Sequence, residues 1–133
     1  MNAIQPTPHT VDQRRASGAY TAVETIAHQH DVKLKKDYGG LCLKLPALIH
    51  QCGLCQALAF YQAKAKSGDN AHSKVLKDLA QVVLEREDNG ALDVLLKQSR
   101  TSPLLEYLGL TRNAMACSTW FKRYAEALLK EKS

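Results

Sequence analysis

The stretch "LPALIHQCGLCQALAFYQAK", Leu45 to Lys64, decides how this chain folds. Its first part continues a helix-like pattern from Leu41 to Gln51, with Pro46 either kinking that helix or starting a shorter one. Gly53 is a natural break. From Leu54 to Lys66 the apolar residues Leu54, Ala57, Leu58, Ala59, Phe60, Tyr61 and Ala65 run around most of a helical circumference, which predicts a buried helix in the middle of the fold. Inside the stretch, Cys52-Gly53-Leu54-Cys55 poses the chemical question: a working dithiol, half of a metal site, or packing.

Working outward, helical spacing dominates on both sides. Upstream, Pro6 and Pro8 predict an extended segment over residues 1–9. Thr10 is placed to cap a helix reaching about His30, with Val11, Ala19, Ala22, Val23 and Ile26 as its apolar stripe. Val32 to Gly40 carries the weakest pattern. Downstream, Ser67-Gly68-Asp69-Asn70 reads as a turn, and Val75, Leu76, Leu79, Val82 and Val83 mark one face of a helix from about Ala71 to Glu87. Asp88-Asn89-Gly90 ends it, and Ala91 to Gln98 supplies a short helix carrying Leu92, Leu95 and Leu96.

Thr101-Ser102-Pro103 then reads as a cap followed by proline at the first helical position. The last helix, to about Lys130, carries Leu110, Ala114, Cys117, Phe121, Ala125 and Leu128 at spacings of three and four, with Gly109 as a point of bending. Strand-type alternation, internal repeats and low-complexity blocks are missing. The expectation is an all-α, compact bundle of five to seven helices, a single domain over residues 10–131.

At 133 residues, 45% hydrophobic and 23% charged, the chain has the composition of a soluble globule that needs no disulfide to hold it. Eighteen Lys and Arg against thirteen Asp and Glu give a net charge of +5, which favours polyanionic partners. Residues Met1 to Thr10 lack the apolar core of a signal peptide, and no apolar run approaches the roughly 20 residues of a membrane span. A cytoplasmic protein with reduced cysteines is expected.

A thioredoxin-like CxxC sits at a strand-to-helix junction, and here the preceding segment reads as helix, so the redox reading loses its scaffold. Zinc needs four ligands. Cys52, Cys55, His50 and a distant Cys42 or Cys117 offer one set that could converge on tetrahedral geometry, without a second matching pair. The plainer expectation is that all four cysteines serve as small apolar side chains in helix contacts. His28 and His30, two apart on a helix, point about 200° apart and read as surface residues. No nucleophile triad, phosphate loop or acidic metal motif is present, so neither an enzyme nor a cofactor is expected.

The same central stretch resembles the small helical subunit of type III-B CRISPR RNA-targeting complexes, the fifth protein of the Cmr set. The features that carry the resemblance are Leu45-Pro46-Ala47-Leu48-Ile49, the Gly53-Leu54 break, Ala57-Leu58-Ala59-Phe60 and Ala63-Lys64. Tyr38-Gly39 and Trp120-Phe121-Lys122-Arg123-Tyr124-Ala125 match more loosely. The resemblance implies a non-catalytic component whose copies stack along a filament bearing guide RNA, beside other Cmr subunits, and line the channel for single-stranded target RNA. Cys52 and Cys55 depart from that pattern, which favours packing.

A channel of this kind needs charge and shape, because guide pairing already reads sequence. The candidate RNA-binding residues are Arg14, Arg15, Lys44, Lys64, Lys66, Arg112, Lys122, Arg123 and Lys130. At about 100° per residue, Arg112, Arg123 and Lys130 share the side of the last helix opposite its apolar seam, with Lys122 beside them, although a solvated helix face reads the same way. Trp120, on the flank of the seam, reads first as packing. Lys64 and Lys66 end a helix, where the dipole alone favours cations. Arg15 falls within the apolar arc of the first helix and must snorkel, pair, or meet a partner. Lys33, Lys35 and Lys36 read as a flexible basic loop. The rival classes are a helical adaptor that binds only protein, and a zinc or thiol protein using Cys52 and Cys55.

Overall fold

A computed structural model of the chain describes residues 8–65 and 69–129. Six α-helices account for the regular structure of these residues: α1 (Val11–Ala27), α2 (Val32–Cys52), α3 (Leu54–Ala65), α4 (Ala71–Leu84), α5 (Ala91–Thr101) and α6 (Leu104–Leu128). Several starts have a local cause. Thr10 and Gln13 form a reciprocal capping box, the Thr10 Oγ1 accepting from the Gln13 N–H at 3.0 Å and Gln13 Oε1 from the Thr10 N–H at 2.8 Å. The Asp31 carboxylate accepts from the Leu34 N–H at 3.0 Å and starts α2. Asn70 caps α4 and also ties it to α3, its Nδ2 donating to the Lys64 carbonyl at 2.8 Å.

The segment with the weakest helical pattern therefore joins the next one in a single helix of 21 residues. What the pattern missed is Tyr38, fully buried, whose hydroxyl donates to Asp78 Oδ2 on α4 at 2.7 Å. The Lys33, Lys35 and Lys36 run, expected as a loop, is the first turns of this helix, and Lys33 pairs with Asp37 one turn on at 2.9 Å. Pro46 sits inside α2 without ending it. Proline withholds one N–H from the ladder. In the turn before it, the Leu41 carbonyl accepts from the Tyr61 hydroxyl at 2.7 Å, which holds α3 against the same turn. Gly53 closes α2 with φ of 84°, a conformation glycine adopts without cost, and α3 starts at the next residue.

The remaining boundaries move slightly. Helix α1 ends at Ala27 rather than near His30, and α4 at Leu84, where Glu85 takes a left-handed φ of 51°. Pro103 is itself the residue before the first helical position of α6, one step earlier than expected, and Gly109 lies within that helix.

All six helices contribute to one buried cluster, with Phe121, Tyr38, Leu45, Leu58, Leu79 and Leu95 among its fully buried members. Truncating a side chain such as Phe121 to Ala in such a core costs about 3–5 kcal/mol. The expected position of the 54–66 helix needs correction. Helix α3 buries only Leu54, Ala57, Leu58, Tyr61 and Ala65, while Ala59 and Phe60 face solvent, Phe60 with 49% of its surface exposed. Alanine widened the apparent apolar arc without supplying enough area to demand burial. The middle of the bundle belongs to α4, which packs against all five other helices, while α6 lies along α1 and α2. The α1–α4 approach is close enough that a Cβ on Gly18 would meet the Val82 side chain at 3.0 Å. No helix is long and apolar enough to cross a membrane among the described residues.

Candidate nucleic-acid interface

The packing reading of the cysteines holds for two of the four. Cys42 and Cys117 are fully buried, and burial pushes both thiols up, that of Cys117 to about 12. Cys52 is exposed at the end of α2 and Cys55 is half-buried in the first turn of α3, so neither serves as a core residue. All four are free thiols. The Cys55 N–H donates to the Tyr107 hydroxyl at 3.1 Å, which makes this break a contact point for α6. Among the described residues no three His, Cys, Asp or Glu side chains gather to hold a metal ion. His28 and His30 are both exposed, His28 at the C-cap of α1 and His30 in the turn that follows, as a surface reading requires.

The basic candidates divide by what they touch. Arg14 donates from Nε to Glu85 at 2.7 Å and from Nη1 to the His9 carbonyl at 3.0 Å. Arg15, which had to snorkel, pair or meet a partner, does the second: its Nε donates to Asn113 Oδ1 on α6 at 2.8 Å, and its Nη1 lies 3.4 Å from Asp12. Asn113 passes the connection on, donating to the Val83 carbonyl of α4 at 3.0 Å. Both arginines thus join separate parts of the fold to one another.

Lys44 and Lys64 do the opposite. Both are exposed, and neither forms an ion pair among the described residues. They come from α2 and α3 and converge on His72 of α4: burial is the larger cause that pushes the His72 pKa down, and Lys64 and Lys44 push it further, against the opposing pull of Asp37. The His72 ring meets Tyr61 edge-on at 5.5 Å, and the Lys64 Nζ lies 5.3 Å from the centre of the exposed Phe60 ring. The result is a pair of exposed lysines from α2 and α3 beside a histidine of α4, with an exposed aromatic ring against one of them. Sequence reading missed His72 and the exposure of Phe60. Only the spacing Phe60 to Lys64, one helical turn, could have signalled the pair.

On α6, Arg112 and Arg123 are exposed on the same side, eleven residues or about three turns apart. Arg123 lies 3.6 Å from Glu126, with 64% of its side chain exposed. Lys122 is half-buried. Trp120 is half-buried as well, and its Nε1 donates to Asp12 Oδ1 at 3.0 Å, so it neither packs fully nor stands free. Lys66 and Lys130 lie outside the described residues.

The family model for CRISPR-associated protein (Cas_Cmr5) matches residues 11–128, from the first residue of α1 to the last of α6. The chain belongs to the Cmr5 family. Among its relatives is the CRISPR system Cmr subunit Cmr5 of Thermus thermophilus, 40% identical over 113 residues that make up 85% of this chain and 93% of the relative. The fold is also similar to the crystal structure of a CRISPR-associated Cmr5 family protein from Thermus thermophilus, with a TM-score of 0.79 and 40% identity, covering 92% of this chain and all of that one. The resemblance carried by the Leu45 to Lys64 stretch is therefore borne out, as is the all-α fold.

For a Cmr5 family member the surfaces left uncovered matter as much as the charges. Leu104, Leu105 and Leu108 stand exposed in the first turns of α6, Leu105 with 81% of its surface in solvent. A second apolar area lies in a groove of about 570 Å³ between α2 and the end of α6, lined by Val32, Leu43 and Leu128 and edged by Lys35 and Lys36. Apolar surface of this kind suits contact with other protein.

Proposed function

We propose that this chain is a non-catalytic, cytoplasmic subunit of a type III-B CRISPR Cmr effector complex in antiviral defence. It acts as one folded unit over residues 10–131; most of the segment 1–9, expected to be extended, lies outside the described residues, as do residues 130 and 131. Its copies stack beside one another and beside other Cmr subunits along the guide-RNA filament, and its basic side chains line the channel for single-stranded target RNA. The placement of Lys44 and Lys64 about His72 carries the RNA part of this reading, since two helices bring lysines without ion pairs among the described residues to one place on a third. Arg112 and Arg123 extend the charge along α6, and Lys122, Lys66 and Lys130 add to it. Arg14 and Arg15 contribute the charge their internal partners leave unneutralised. The exposed leucines of α6 and the groove at Val32 and Leu43 support the contacts between subunits.

These apolar surfaces also favour a second reading, an adaptor that binds only protein. The two part company on salt. Backbone contacts to single-stranded RNA weaken with a slope of about −0.7 per phosphate neutralised, whereas a protein adaptor shows no salt-dependent affinity for nucleic acid. The deciding experiment crosslinks target RNA to the reconstituted complex, with the native protein or with Lys44→Ala, Lys64→Ala and Arg123→Ala combined. Native protein that assembles and crosslinks, beside a variant that assembles and crosslinks poorly, supports the channel. A native protein that assembles and never crosslinks leaves the adaptor.

A further inference from the structure

Three aromatic rings stand together at the seam between α1 and α6. Trp120 and Tyr124, one helical turn apart, stack with centroids 5.7 Å apart and planes 22° apart. Tyr20 of α1 meets Tyr124 edge-on, at 5.3 Å and 82°. Tyr20 is 40% exposed, and Trp120 and Tyr124 are half-buried. A ladder that served packing alone would bury its rings, because burial of that apolar area is where aromatic side chains gain most. This one is fastened at its edges. The Trp120 Nε1 donates to Asp12, and the Glu24 carboxylate beside the Tyr20 hydroxyl pushes that phenol up. The rings are held in orientation while part of their surface stays in solvent.

The exposed arginines near the ladder lie on its α6 side, where Arg123 sits 3.6 Å from Glu126 and keeps 64% of its side chain in solvent. Arg123 follows Trp120 by three residues, which places it on the neighbouring strip of the helix surface, and Arg112 lies on the same side of α6 as Arg123 three turns earlier. Asp12 and Glu24 lie on the α1 side. A strand of phosphates is therefore favoured along α6 and repelled from α1. An anionic chain following Arg112 and Arg123 would carry its bases toward the rings. Arg123 alone would satisfy an acidic peptide, but a set of partly exposed, oriented aromatic side chains near two exposed arginines is matched by the base and phosphate of a nucleotide.

We propose that Tyr20, Trp120 and Tyr124 form a stacking platform for an unpaired base of single-stranded RNA, with Arg123 holding the adjoining phosphate. The inference rests on the RNA-channel reading and deepens it: charge and shape hold the backbone at Lys44 and Lys64, whereas here a base leaves the strand and is held by π-faces. Any base suits such a platform, since each has a π-face.

The test uses the reconstituted complex and single-stranded RNA carrying 5-iodouridine at successive positions, followed by irradiation and mapping of the crosslinked residues. The expected crosslinks fall on Tyr20, Trp120 or Tyr124. They drop about tenfold or more when Tyr20→Leu and Tyr124→Leu are combined and persist when both are changed to Phe, which keeps the rings. Should the Leu variant fail to assemble, the single tryptophan of the chain decides in the free protein. Oligouridylate then quenches Trp120 fluorescence and an abasic oligomer of equal length does not. Equal quenching by both overturns the platform. Crosslinks to this subunit that fall only away from the three rings overturn the platform and leave the channel standing, and no crosslink to this subunit at any position overturns both.

Discussion

Inside the α1–α6 seam Arg15 is held by the protein's own side chains, and at the α2–α3–α4 edge Lys44 and Lys64 are left to solvent. Arg15 at the seam has its Nε on Asn113 and its Nη1 near Asp12, with 23% of its side chain exposed. Lys64 at the edge lies over an exposed phenylalanine and has no carboxylate within ion-pairing distance among the described residues. The difference follows partly from chemistry. A guanidinium presents planar, directed donors that suit fixed partners such as an amide oxygen, while an ammonium is a strongly hydrated point charge that is costly to bury. Positive charge written evenly along a sequence can therefore be structural in one region and available to a ligand in another.

Breaking the seam should have the largest effect. Asn113→Ala removes the acceptor of the Arg15 Nε and the donor to the Val83 carbonyl, both part-buried, and is expected to cost about 2–3 kcal/mol in chemical denaturation while RNA affinity holds. An RNA affinity that falls with it, in protein that remains folded, would mean the seam contacts the ligand through Arg15.

Opening the edge should do the reverse. Lys44→Ala with Lys64→Ala is expected to leave folding stability within about 0.5 kcal/mol, lower affinity for single-stranded RNA about tenfold at low salt, and flatten the salt slope by about 1.4, or about 0.7 for each phosphate contact. An unchanged slope would remove both lysines from the interface.

The edge can be sharpened further with pH. Burial and the two lysines hold the His72 pKa below its ordinary value in the free protein, and a phosphate brought near would raise it. Binding then takes up a proton, so affinity is expected to rise severalfold as pH falls from about 7.5 to about 6, because one pKa unit of difference between bound and free corresponds to a factor of about 10. In His72→Gln the same titration should be flat. Folding responds with the opposite sense. A folded pKa below the unfolded one stabilises the neutral state, and stability declines as pH falls below the unfolded value of about 6.5.

The smallest effect is expected from Arg14→Ala. Its pair with Glu85 is at the surface, with 47% and 58% of the two side chains exposed, and such pairs contribute about 0.5 kcal/mol. RNA affinity should fall by about twofold at most, because Glu85 already neutralises much of the Arg14 charge. A tenfold loss would place Arg14 with the edge lysines rather than with the seam.

Much of the fold was legible because its signals are local. The cap at Thr10, the glycine break at Gly53 and the helix start at Ala71 each need only a few neighbouring residues, and all fall where the sequence places them. Local signals fail where a distant partner decides. Val32 to Gly40 looked irregular because the gain from burying Tyr38 against Asp78 on α4 is invisible from within the segment. The 54–66 helix looked central because apolar residues were counted on its circumference without weighing how little area an alanine such as Ala59 has to bury.

The candidate interface was less legible than the fold. Lys64 and Lys44 were singled out, yet their meeting at His72 depends on three helices packing together, and nothing in the chain order brings residues 44, 64 and 72 into one view. Arg14 stood beside them as a candidate, and Arg15 had to snorkel, pair or meet a partner, until Glu85 and Asn113, 71 and 98 residues away, supplied the partners. The sequence by itself determined the helical class, the caps and the family pattern from Leu45 to Lys64, because helix periodicity and capping act within a few residues. Only the tertiary structure decided which helix lies at the centre and which cations remain available. Those outcomes depend on long-range contacts, in which each charge either finds a partner across the bundle or is left to water.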